Sequence, residues 1–388
     1  MNIEFDKKVL ESALTKTIKA VNPRSPLPIL NYVLIKCTED GKVMFSTTDL
    51  EFGIECKVEA RIYEEGMVCV PAKIITELVN SIQEDKVSIK QEGEKPLELT
   101  TNKSKYHINV REVDEFPILP KSSDEPLFTI PQLTFREMIK NVIIAVASLE
   151  EQRAALTGVF INVDDKGITA VSTDSRRLIK VSEPLDETPA KSFSVIVPQR
   201  SLKEIQNLLS DKEEPVSFIF SEGQIFLSFG NINVFSRIID GKFPNYEVVI
   251  PRSSDIKLLI DRRRLLDSVK RALIMAENRE TPDLLRLEIG RDTMKIMANS
   301  VDIGDAHEEV QIQEMEGDNI ELAINGRYLY EVLNVMSDEF VWVLLNSPVM
   351  PLMLKTPQKD TYDYIVMPVR LHKEEEEMET DVPVSSYT

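Results

Sequence analysis

Three segments of this 388-residue chain share one pattern: VPAKIITELV begins at Val70, VPQRSLKEIQ at Val197 and INGRYLYEVL at Ile324. Successive segments therefore start 127 residues apart. In each, a short β-branched run leads into apolar residues at helical spacing. The apolar stripe of the first copy comprises Ile74, Ile75, Leu78, Val79 and Ile82. Equal spacing over three copies indicates an internal repeat, and each copy is predicted to be a strand followed by a helix.

A second helix is predicted at the start of each repeat. The six predicted helices cover residues 6–20, 71–82, 131–147, 198–209, 261–276 and 325–336. Segments between them, such as KVMFSTTDL and GITAVSTDS, alternate apolar and polar residues as half-buried strands do. The fold class is therefore predicted as α+β, with two helices packed on antiparallel sheet in every repeat.

The ends of the repeats set the predicted domain boundaries. The pairs Phe116-Pro117 and Phe243-Pro244 recur at the same spacing and are followed by polar, linker-like residues. We predict three domains over residues 1–123, 124–253 and 254–371. The last residues, HKEEEEMETDVPVSSYT from His372, have a charge run and no apolar period. Residues 372–388 are therefore predicted to be an acidic, disordered tail.

Composition places the chain among globular proteins. Apolar residues make up 42% and charged residues 29% of the sequence. The N-terminal MNIEFDKKVL lacks the apolar run of a signal peptide, and no stretch approaches the roughly 18 apolar residues of a membrane span. We expect a cytoplasmic protein without a membrane partner. Cys37, Cys56 and Cys69 are odd in number and contain no CxxC pair, which favours reduced, structural thiols.

Motifs of common enzymes are missing from the sequence. It contains no GxxxxGK[ST], GxGxxG, HExxH or GxSxG, and its three histidines, His107, His307 and His372, are far apart. Neither a metal site nor a Ser/His site is predicted from them. Asp49 and Asp174 stand at matching places in the first two repeats and are predicted to be turn or capping residues. We predict no catalytic residue, no cofactor and no enzyme.

The distribution of charge bears on nucleic-acid binding. A net charge of -19 argues against DNA as a partner, because phosphate is neutralised by Lys and Arg. The six predicted helices nevertheless contain 15 basic and 8 acidic residues. Either they face a polyanion, or Lys and Arg are simply good helix formers on solvated faces. Arg264 and Arg271, seven residues apart on one helix face, favour DNA, and the absence of interleaved aromatics favours sequence-independent phosphate contact.

The repeats, together with RSPLPIL from Arg24, VSTDSRRL from Val171 and YIVMPVRL from Tyr364, resemble the bacterial DNA sliding clamps, the beta subunits of DNA polymerase III. The resemblance covers residues 1–371. It implies three clamp domains that form half of a six-domain ring, closed by a head-to-tail homodimer around duplex DNA. The implied partners are the polymerase III alpha subunit, the clamp loader, and other polymerases and repair proteins that bind through short peptide motifs.

The resemblance also implies three sets of site residues. A peptide-binding cleft between the second and third domains would contain Arg153, Leu156, Thr173, Ser175, Arg176, Leu178, Pro244, Val249, Asn325, Tyr328, Ile365, Met367, Pro368, Val369 and Arg370. The predicted DNA contacts are Arg24, Lys73 and Arg200, to which the charge pattern adds Arg264 and Arg271. The predicted dimer interface pairs Leu78, Ile82, Tyr106 and Ile108 of one protomer with Ile274 and Met275 of its partner.

The sequence departs from the family at one spot and leaves one alternative open. Ala154 and Ala155 stand where some clamps have tyrosines that touch DNA, and Arg176 replaces a frequent histidine. A contact with single-stranded DNA there is therefore left open. The alternative function is a repeat-built protein-interaction scaffold that does not enclose DNA. Retention on circular DNA distinguishes the two, because only a closed ring is held by the topology of the circle.

Overall fold

The computed structural model describes residues 1–122, 124–189, 191–276, 282–300, 302–358 and 361–370. The predicted tail, 372–388, and the last residue of the predicted third domain, Leu371, lie outside these ranges. The chain forms two compact units, Met1–Asn245 and Tyr246–Thr388. The first unit contains two of the sequence repeats and the second contains the third. Within the described ranges, no helix is long and apolar enough to cross a membrane.

The first repeat has two helices and nine strands. In chain order these are β1 (Asn2–Asp6), α1 (Lys7–Thr17), β2 (Tyr32–Cys37), β3 (Val43–Thr48), β4 (Phe52–Val58), β5 (Arg61–Glu64), β6 (Met67–Pro71), α2 (Ala72–Ser81), β7 (Lys86–Lys90), β8 (Leu97–Thr100) and β9 (Lys105–Ile108).

The second repeat follows the same plan. Its elements are β10 (Phe128–Pro131), α3 (Gln132–Val142), β11 (Gly158–Asp164), β12 (Gly167–Thr173), β13 (Arg177–Glu183), β14 (Phe193–Pro198), α4 (Gln199–Leu208), β15 (Pro215–Ser221), β16 (Gln224–Phe229) and β17 (Ile232–Arg237).

The third repeat forms the second unit. Its elements are β18 (Ile256–Asp261), α5 (Arg262–Ile274), β19 (Leu284–Ile289), β20 (Thr293–Ser300), β21 (Gly304–Glu316), β22 (Ile320–Asn325), α6 (Gly326–Val335), β23 (Phe340–Leu345), β24 (Leu352–Lys355) and β25 (Tyr362–Val366).

All six predicted helices are present, and their first turns show why they begin where they do. The side chains of Asp6, Asp261 and Asn325 accept hydrogen bonds from backbone N–H groups of α1, α5 and α6. These caps satisfy N–H groups that have no partner inside a helix. The helices are slightly shorter than predicted, because Ile18–Ala20 and Ile143–Ala145 continue α1 and α3 as 3₁₀ turns.

One detail of the predicted apolar stripe on α2 is wrong. Ile75 and Val79 are buried as predicted, but Ile74 is exposed and Leu78 is half-buried. Ile74 and Leu78 are four residues apart and therefore lie on one face of the helix. Helix α2 thus has an apolar strip that its own unit does not fully cover.

Antiparallel sheets form the body of the first unit. One sheet has the strand order β5-β1-β7-β8-β9, and a second joins β6-β2-β3-β4 of the first repeat to β17-β16-β15-β10 of the second. The join is the antiparallel pairing of β4 with β17, in which Ile54 lies opposite Val234. Strands β14, β11, β12 and β13 form a further antiparallel group. The two repeats of this unit are therefore continuous through main-chain hydrogen bonds.

The second unit repeats this strand arrangement. Its strands follow the order β25-β24-β23-β18-β21-β20-β19-β22, all antiparallel. Strand β21 is 13 residues long. Its first part pairs with β20 on one side, while only its last residues, from Ile312, pair with β18 on the other. The two helices, α5 and α6, lie next to each other in this unit.

Asp49 and Asp174 cap the same tight turn in the first two repeats, which confirms their predicted role. The Asp49 Oδ1 atom accepts from the backbone N–H groups of Glu51 and Phe52 at 3.1 and 2.8 Å. The Asp174 Oδ1 atom likewise accepts from the backbone N–H groups of Arg176 and Arg177 at 3.0 and 2.9 Å. The intervening residue has positive φ in both turns, 77° at Leu50 and 73° at Ser175. The carboxylate holds a backbone conformation that side-chain-bearing residues seldom adopt.

The free oxygen of Asp49 also joins the two repeats of the first unit. It accepts a hydrogen bond from the Arg200 guanidinium at the start of α4. The Asp49 side chain is 5% exposed and the Arg200 side chain 47%. A second, longer ion pair connects Lys19 with Glu204 at 3.9 Å. The β4–β17 junction is therefore reinforced by charge on the helix side of the sheet.

A double-mutant cycle measures this contact. Asp49→Asn keeps an oxygen for the turn but removes the charge, and Arg200→Gln removes the cation. Because the carboxylate is buried and the guanidinium is half exposed, we expect a coupling energy of about 1 kcal/mol in chemical denaturation. The matched control is the exposed helical pair Lys73 and Glu77, at 3.8 Å, for which about 0.3 kcal/mol is expected. Equal coupling in the two cycles contradicts a special role for Asp49.

Candidate DNA-facing helices, strand edges and peptide-binding residues

Four of the five basic residues of α5 lie on its solvent face. Arg263, Arg264, Lys270 and Arg271 are exposed, whereas Leu265 and Val269 on the opposite face are buried. Arg264 and Arg271 thus share an exposed face, as the spacing of seven predicted. The Arg271 guanidinium donates to both carboxylate oxygens of Glu308 at 2.8 and 2.5 Å. This contact raises the pKa of Arg271 and lowers the pKa of Glu308.

Most of the other predicted DNA contacts also have a carboxylate nearby. Arg264 is 4.0 Å from Asp261, and Lys73 and Arg200 have the partners given above. Arg24 is exposed in the loop after α1, where its backbone N–H donates to Asn22. An exposed pair such as Lys73–Glu77 contributes little free energy, so a phosphate group can replace the carboxylate there at small cost, whereas the buried carboxylate of Asp49 holds Arg200 more firmly. The arrangement suits weak contact with a polyanion better than tight recognition.

Several strands have an edge without a strand partner in the part of the chain that the structure describes, and two of these edges stand at the places that β17 and β4 occupy in the internal junction. Strand β9 ends its sheet and pairs only with β8. Strand β21 pairs with β20 from Gly304 to Gln311, but its other side is unpaired over the same residues. An exposed strand edge is a template for pairing with another chain. Of the predicted interface residues on β9, Tyr106 is half-buried and Ile108 is buried.

The remaining predicted interface residues differ in exposure. Ile274, at the end of α5, is 68% exposed, and Met275 beside it is half-buried. On α2, Leu78 is half-buried and Ile82 is buried. Exposed Ile74, which the sequence placed in the core stripe, extends the Leu78 face and is a further candidate. The sequence pattern does not identify Ile74 as exposed, because adjacent isoleucines on a helix point in different directions and the pattern does not say which of them faces the core.

Several of the peptide-binding residues predicted in the first unit lie in the Asp174 turn or next to it. The Arg153 guanidinium donates to the Ser175 hydroxyl at 2.5 Å and to Glu151 at 3.1 Å. The backbone and side-chain N–H groups of Arg153 lower the pKa of Glu151. Leu156, Thr173 and Leu178 are buried, Arg176 is exposed, and Pro244 lies at the end of the unit. Hydrogen bonds within the first unit therefore already hold the Arg153 side chain, at the polar rim of the predicted site, without a ligand.

The residues predicted in the second unit lie around β22, β25 and the start of α6. Asn325 caps α6, which bears Tyr328 in its first turn. The backbone N–H of Val369 donates to the Ala323 carbonyl at 2.8 Å and so places the segment Met367–Arg370 beside β22. The Ile365 side chain is buried, Pro368 is half-buried, and Val249 and Met367 are exposed.

The structure adds two apolar residues that the sequence did not single out. Val349 and Met350 are exposed in the hairpin between β23 and β24. The β24–β25 register pairs Leu352 with Val366, so this hairpin adjoins exposed Met367. In the sequence these residues lie between two prolines, in SPVMP, and resemble an ordinary turn. Only the exposure of both side chains next to Met367 identifies them as candidates.

Comparison with known proteins identifies the family. Sequence profiles of the DNA polymerase III beta subunit match as the N-terminal domain over residues 1–120, the central domain over 129–245 and the C-terminal domain over 247–370. The chain belongs to this family. The prediction of three clamp domains, each with helices on antiparallel sheet, is thereby confirmed. Members are sliding clamps, processivity factors without enzymatic activity, so the prediction that the chain is not an enzyme also holds.

Individual relatives agree over nearly the whole length. The beta sliding clamp of Bacillus subtilis is 26% identical over 380 residues, covering 96% of this chain and 100% of the relative. The crystal structure of that species' DNA polymerase sliding clamp matches with a TM-score of 0.90, and a beta subunit from Streptococcus pyogenes also matches at 0.90 with 25% identity. Both matches cover 96% of this chain and 100% of the other. A DNA polymerase III beta subunit from Pseudomonas aeruginosa, 28% identical with the same coverage, has a TM-score of 0.89.

Proposed function

We propose that two copies of this chain join head to tail into a closed ring around duplex DNA. The observation that carries this proposal is the β4–β17 junction inside the first unit. The unpaired strand β9 occupies in the first repeat the place of β17 in the second. The unpaired edge of β21 occupies in the third repeat the place of β4 in the first. Joining β9 of one chain to β21 of another therefore repeats a junction that the molecule already contains, and the contact closes after two copies.

Charge complementarity supports this pairing of edges. Strand β9 carries Lys105, while the unpaired part of β21 carries Asp305, Glu308 and Glu309 beside His307. Opposite charges across an interface speed encounter and disfavour the pairing of two identical edges. Head-to-tail closure brings unlike edges together twice. The apolar residues Ile74, Leu78 and Ile274 would lie beside the same seam.

The helices would face the DNA in this ring. They carry more basic than acidic residues although the chain is acidic, and the cations Lys73 and Arg264 already have weak carboxylate partners. Phosphate contact of this kind is screened by salt and independent of base sequence, so the ring can slide. Attachment then depends on topology and not on affinity. We propose Arg24, Lys73, Arg200, Arg264 and Arg271 as the contacts, within clamp domains bounded at residues 1–123, 124–253 and 254–371.

Partner proteins would dock through short apolar peptides. The proposed cleft combines the Asp174 turn and its Arg153 rim with the Met367 segment, and we add Val349 and Met350. Exposed apolar side chains such as Met367 are typical contacts for a peptide anchor, and charged side chains such as Arg153 are typical of the rim of such a site. The polymerase III alpha subunit, the clamp loader and repair proteins are the expected partners.

Loading on nicked circular duplex DNA tests the ring directly. After loading, the protein should stay on the circle in salt high enough to abolish ordinary phosphate binding, because the ring has no end to leave by. Cutting the circle once should release it. Retention is measured by gel filtration of the DNA before and after cutting. Retention that does not change after cutting favours a scaffold that binds DNA without enclosing it.

The seam is tested by charge substitution. Ile274→Asp combined with Met275→Asp places two unpaired charges where the partner should pack, at a cost of several kcal/mol. Because Ile274 is 68% exposed, the chain itself should fold and sediment as a monomer. Ile118→Asp is the control, since that side chain is 97% exposed on the linker after the first repeat, and it should leave a dimer. A dimer of unchanged stability in the double variant means that the seam lies elsewhere.

The peptide cleft is tested at Met367. The side chain is 42% exposed, so Met367→Ala should weaken peptide binding by about 1–2 kcal/mol, roughly tenfold, without loss of stability. Leu178→Ala should weaken it as well, but Leu178 is buried and its loss should also lower stability. Calorimetric titration with a clamp-binding peptide measures the affinity, and Ile118→Ala is the matched exposed control. Wild-type affinity in both cleft variants contradicts the site.

A further inference from the structure

The β4–β17 junction defines how side chains meet when two repeats join. Phe235 of β17 lies opposite Gly53 of β4. A Cβ atom on Gly53 would fall 2.0 Å from a ring carbon of Phe235, so the ring lies directly over the glycine backbone. Side chains at this pair of positions, on the outer face of the sheet, are therefore in contact across the junction. The same pair of positions can be located at the proposed seam.

The equivalent of Phe235 follows from the strand pairs of the first two repeats. Strands β1 and β10 precede α1 and α3. From each of these two strands, residues that lie opposite one another can be traced across the next three strands of the sheet. In the first repeat, Ile89 lies opposite Leu99, which lies opposite Tyr106. In the second repeat, Phe218 lies opposite Leu227, which lies opposite Val234. Tyr106 thus corresponds to Val234. His107, the next residue, corresponds to Phe235.

The equivalent of Gly53 follows from the other half of each repeat. Strands β6 and β22 precede α2 and α6, and the residues can be traced from strand to strand in the same way. In the first repeat, Ile35 lies opposite Phe45, which lies opposite Cys56. In the third repeat, Leu287 lies opposite Ile296, which lies opposite Glu308. Cys56 thus corresponds to Glu308. Gly53, three residues earlier, corresponds to Asp305. In the proposed ring, Asp305 of one protomer therefore lies opposite the partner subunit's His107.

A second histidine is already beside Asp305. The His307 Nε2 atom is 3.3 Å from the Asp305 Oδ2 atom, and both side chains are exposed on the same face of β21. Side chains directly opposite on antiparallel strands have Cβ atoms about 5 Å apart. Asp305 would therefore be flanked by His307 from its own strand and by the partner subunit's His107.

Two imidazoles and a carboxylate form a ligand set for zinc and related divalent transition metals. The surrounding charge is also suitable. Glu98 lies 3.8 Å from His107 and also pairs with Lys105 at 2.6 Å, while Lys90 lies opposite Glu98 on the neighbouring strand. Glu309 is exposed on the same face of β21 as Asp305. The carboxylates Glu98 beside His107 and Asp305 beside His307 add negative charge that favours a bound dication.

We propose that each seam of the ring binds one zinc-like ion between His307 and Asp305 of one protomer and the partner subunit's His107. This inference rests on the proposed head-to-tail ring. Within one chain, the described residues contain no group of three His, Cys, Asp or Glu side chains able to hold a metal ion. The site is incomplete without the partner. A bound ion would connect two chains and slow the opening of the ring.

Zinc titration of the full-length, metal-free protein tests the site. Calorimetry should give two ions per dimer and none of comparable affinity for the monomeric Ile274→Asp, Met275→Asp variant. At free zinc about 100 times its dissociation constant, the dissociation constant of a seam should fall about a hundredfold. Subunit exchange between differently labelled dimers measures the change. Magnesium should have no such effect, because it prefers six oxygen ligands.

Variants of the two histidines give the sharper test. His107→Gln and His307→Gln should each remove both sites, while His372→Gln, the matched control, should retain them. A mixed dimer of the first two variants has one seam with both substitutions and one with both histidines. It should therefore regain one ion per dimer, which only a site shared between chains can do.

The failures of the two proposals are distinguishable. A protein that dimerises in chelator but binds zinc equally well with and without His107 and His307 overturns the metal site alone. A mixed dimer that regains no ion has the same meaning. A protein that is monomeric with and without zinc overturns the ring, and the metal site with it.

Discussion

A strand at the edge of a sheet leaves a row of backbone N–H and C=O groups without protein partners, and this constraint governs the whole molecule. Each repeat has such edges because its sheets do not close on themselves. In the first unit, the edge strand β4 of the first repeat pairs with the edge strand β17 of the second, so their backbone groups find partners in each other. The edges of β9 and β21 are among those that remain without a strand partner in the described residues. The helices, the turns and the charge pairs can be understood as supports for strands that must meet a neighbour in register.

Much of this architecture can be predicted from the sequence, because helices and capped turns depend on neighbouring residues. The six helices follow from apolar spacing, and the roles of Asp49 and Asp174 follow from a Thr-Asp pair after a strand. Exposure is harder to predict. Ile74 belongs with Ile75 to the predicted apolar stripe of α2, yet only the packing of the whole unit decides which of the two is covered.

The predicted surfaces divide in the same way. Basic residues could be placed on the exposed face of α5, but their carboxylate partners could not, because Arg271 and Glu308 are 37 residues apart. The contact of Arg200 with Asp49 spans 151 residues. Val349 and Met350 were missed because their surroundings in sequence are those of a turn. Residue types indicate what a side chain can bind, whereas its actual neighbours depend on strand register.

The packing of Phe235 on Gly53 also distinguishes the β4–β17 junction within the first unit from the proposed seam between chains. An aromatic ring lies against bare backbone there, and Phe235 belongs to a buried cluster with Cys69, Phe116 and Leu119. At the equivalent place on β21 stands Asp305, whose side chain excludes such packing, and β9 offers no phenylalanine. A ring built from identical joints could break at any of them. Here the apolar junction within the first unit would hold more firmly than the polar seam between chains, which favours the seam as the place where the ring opens to admit DNA.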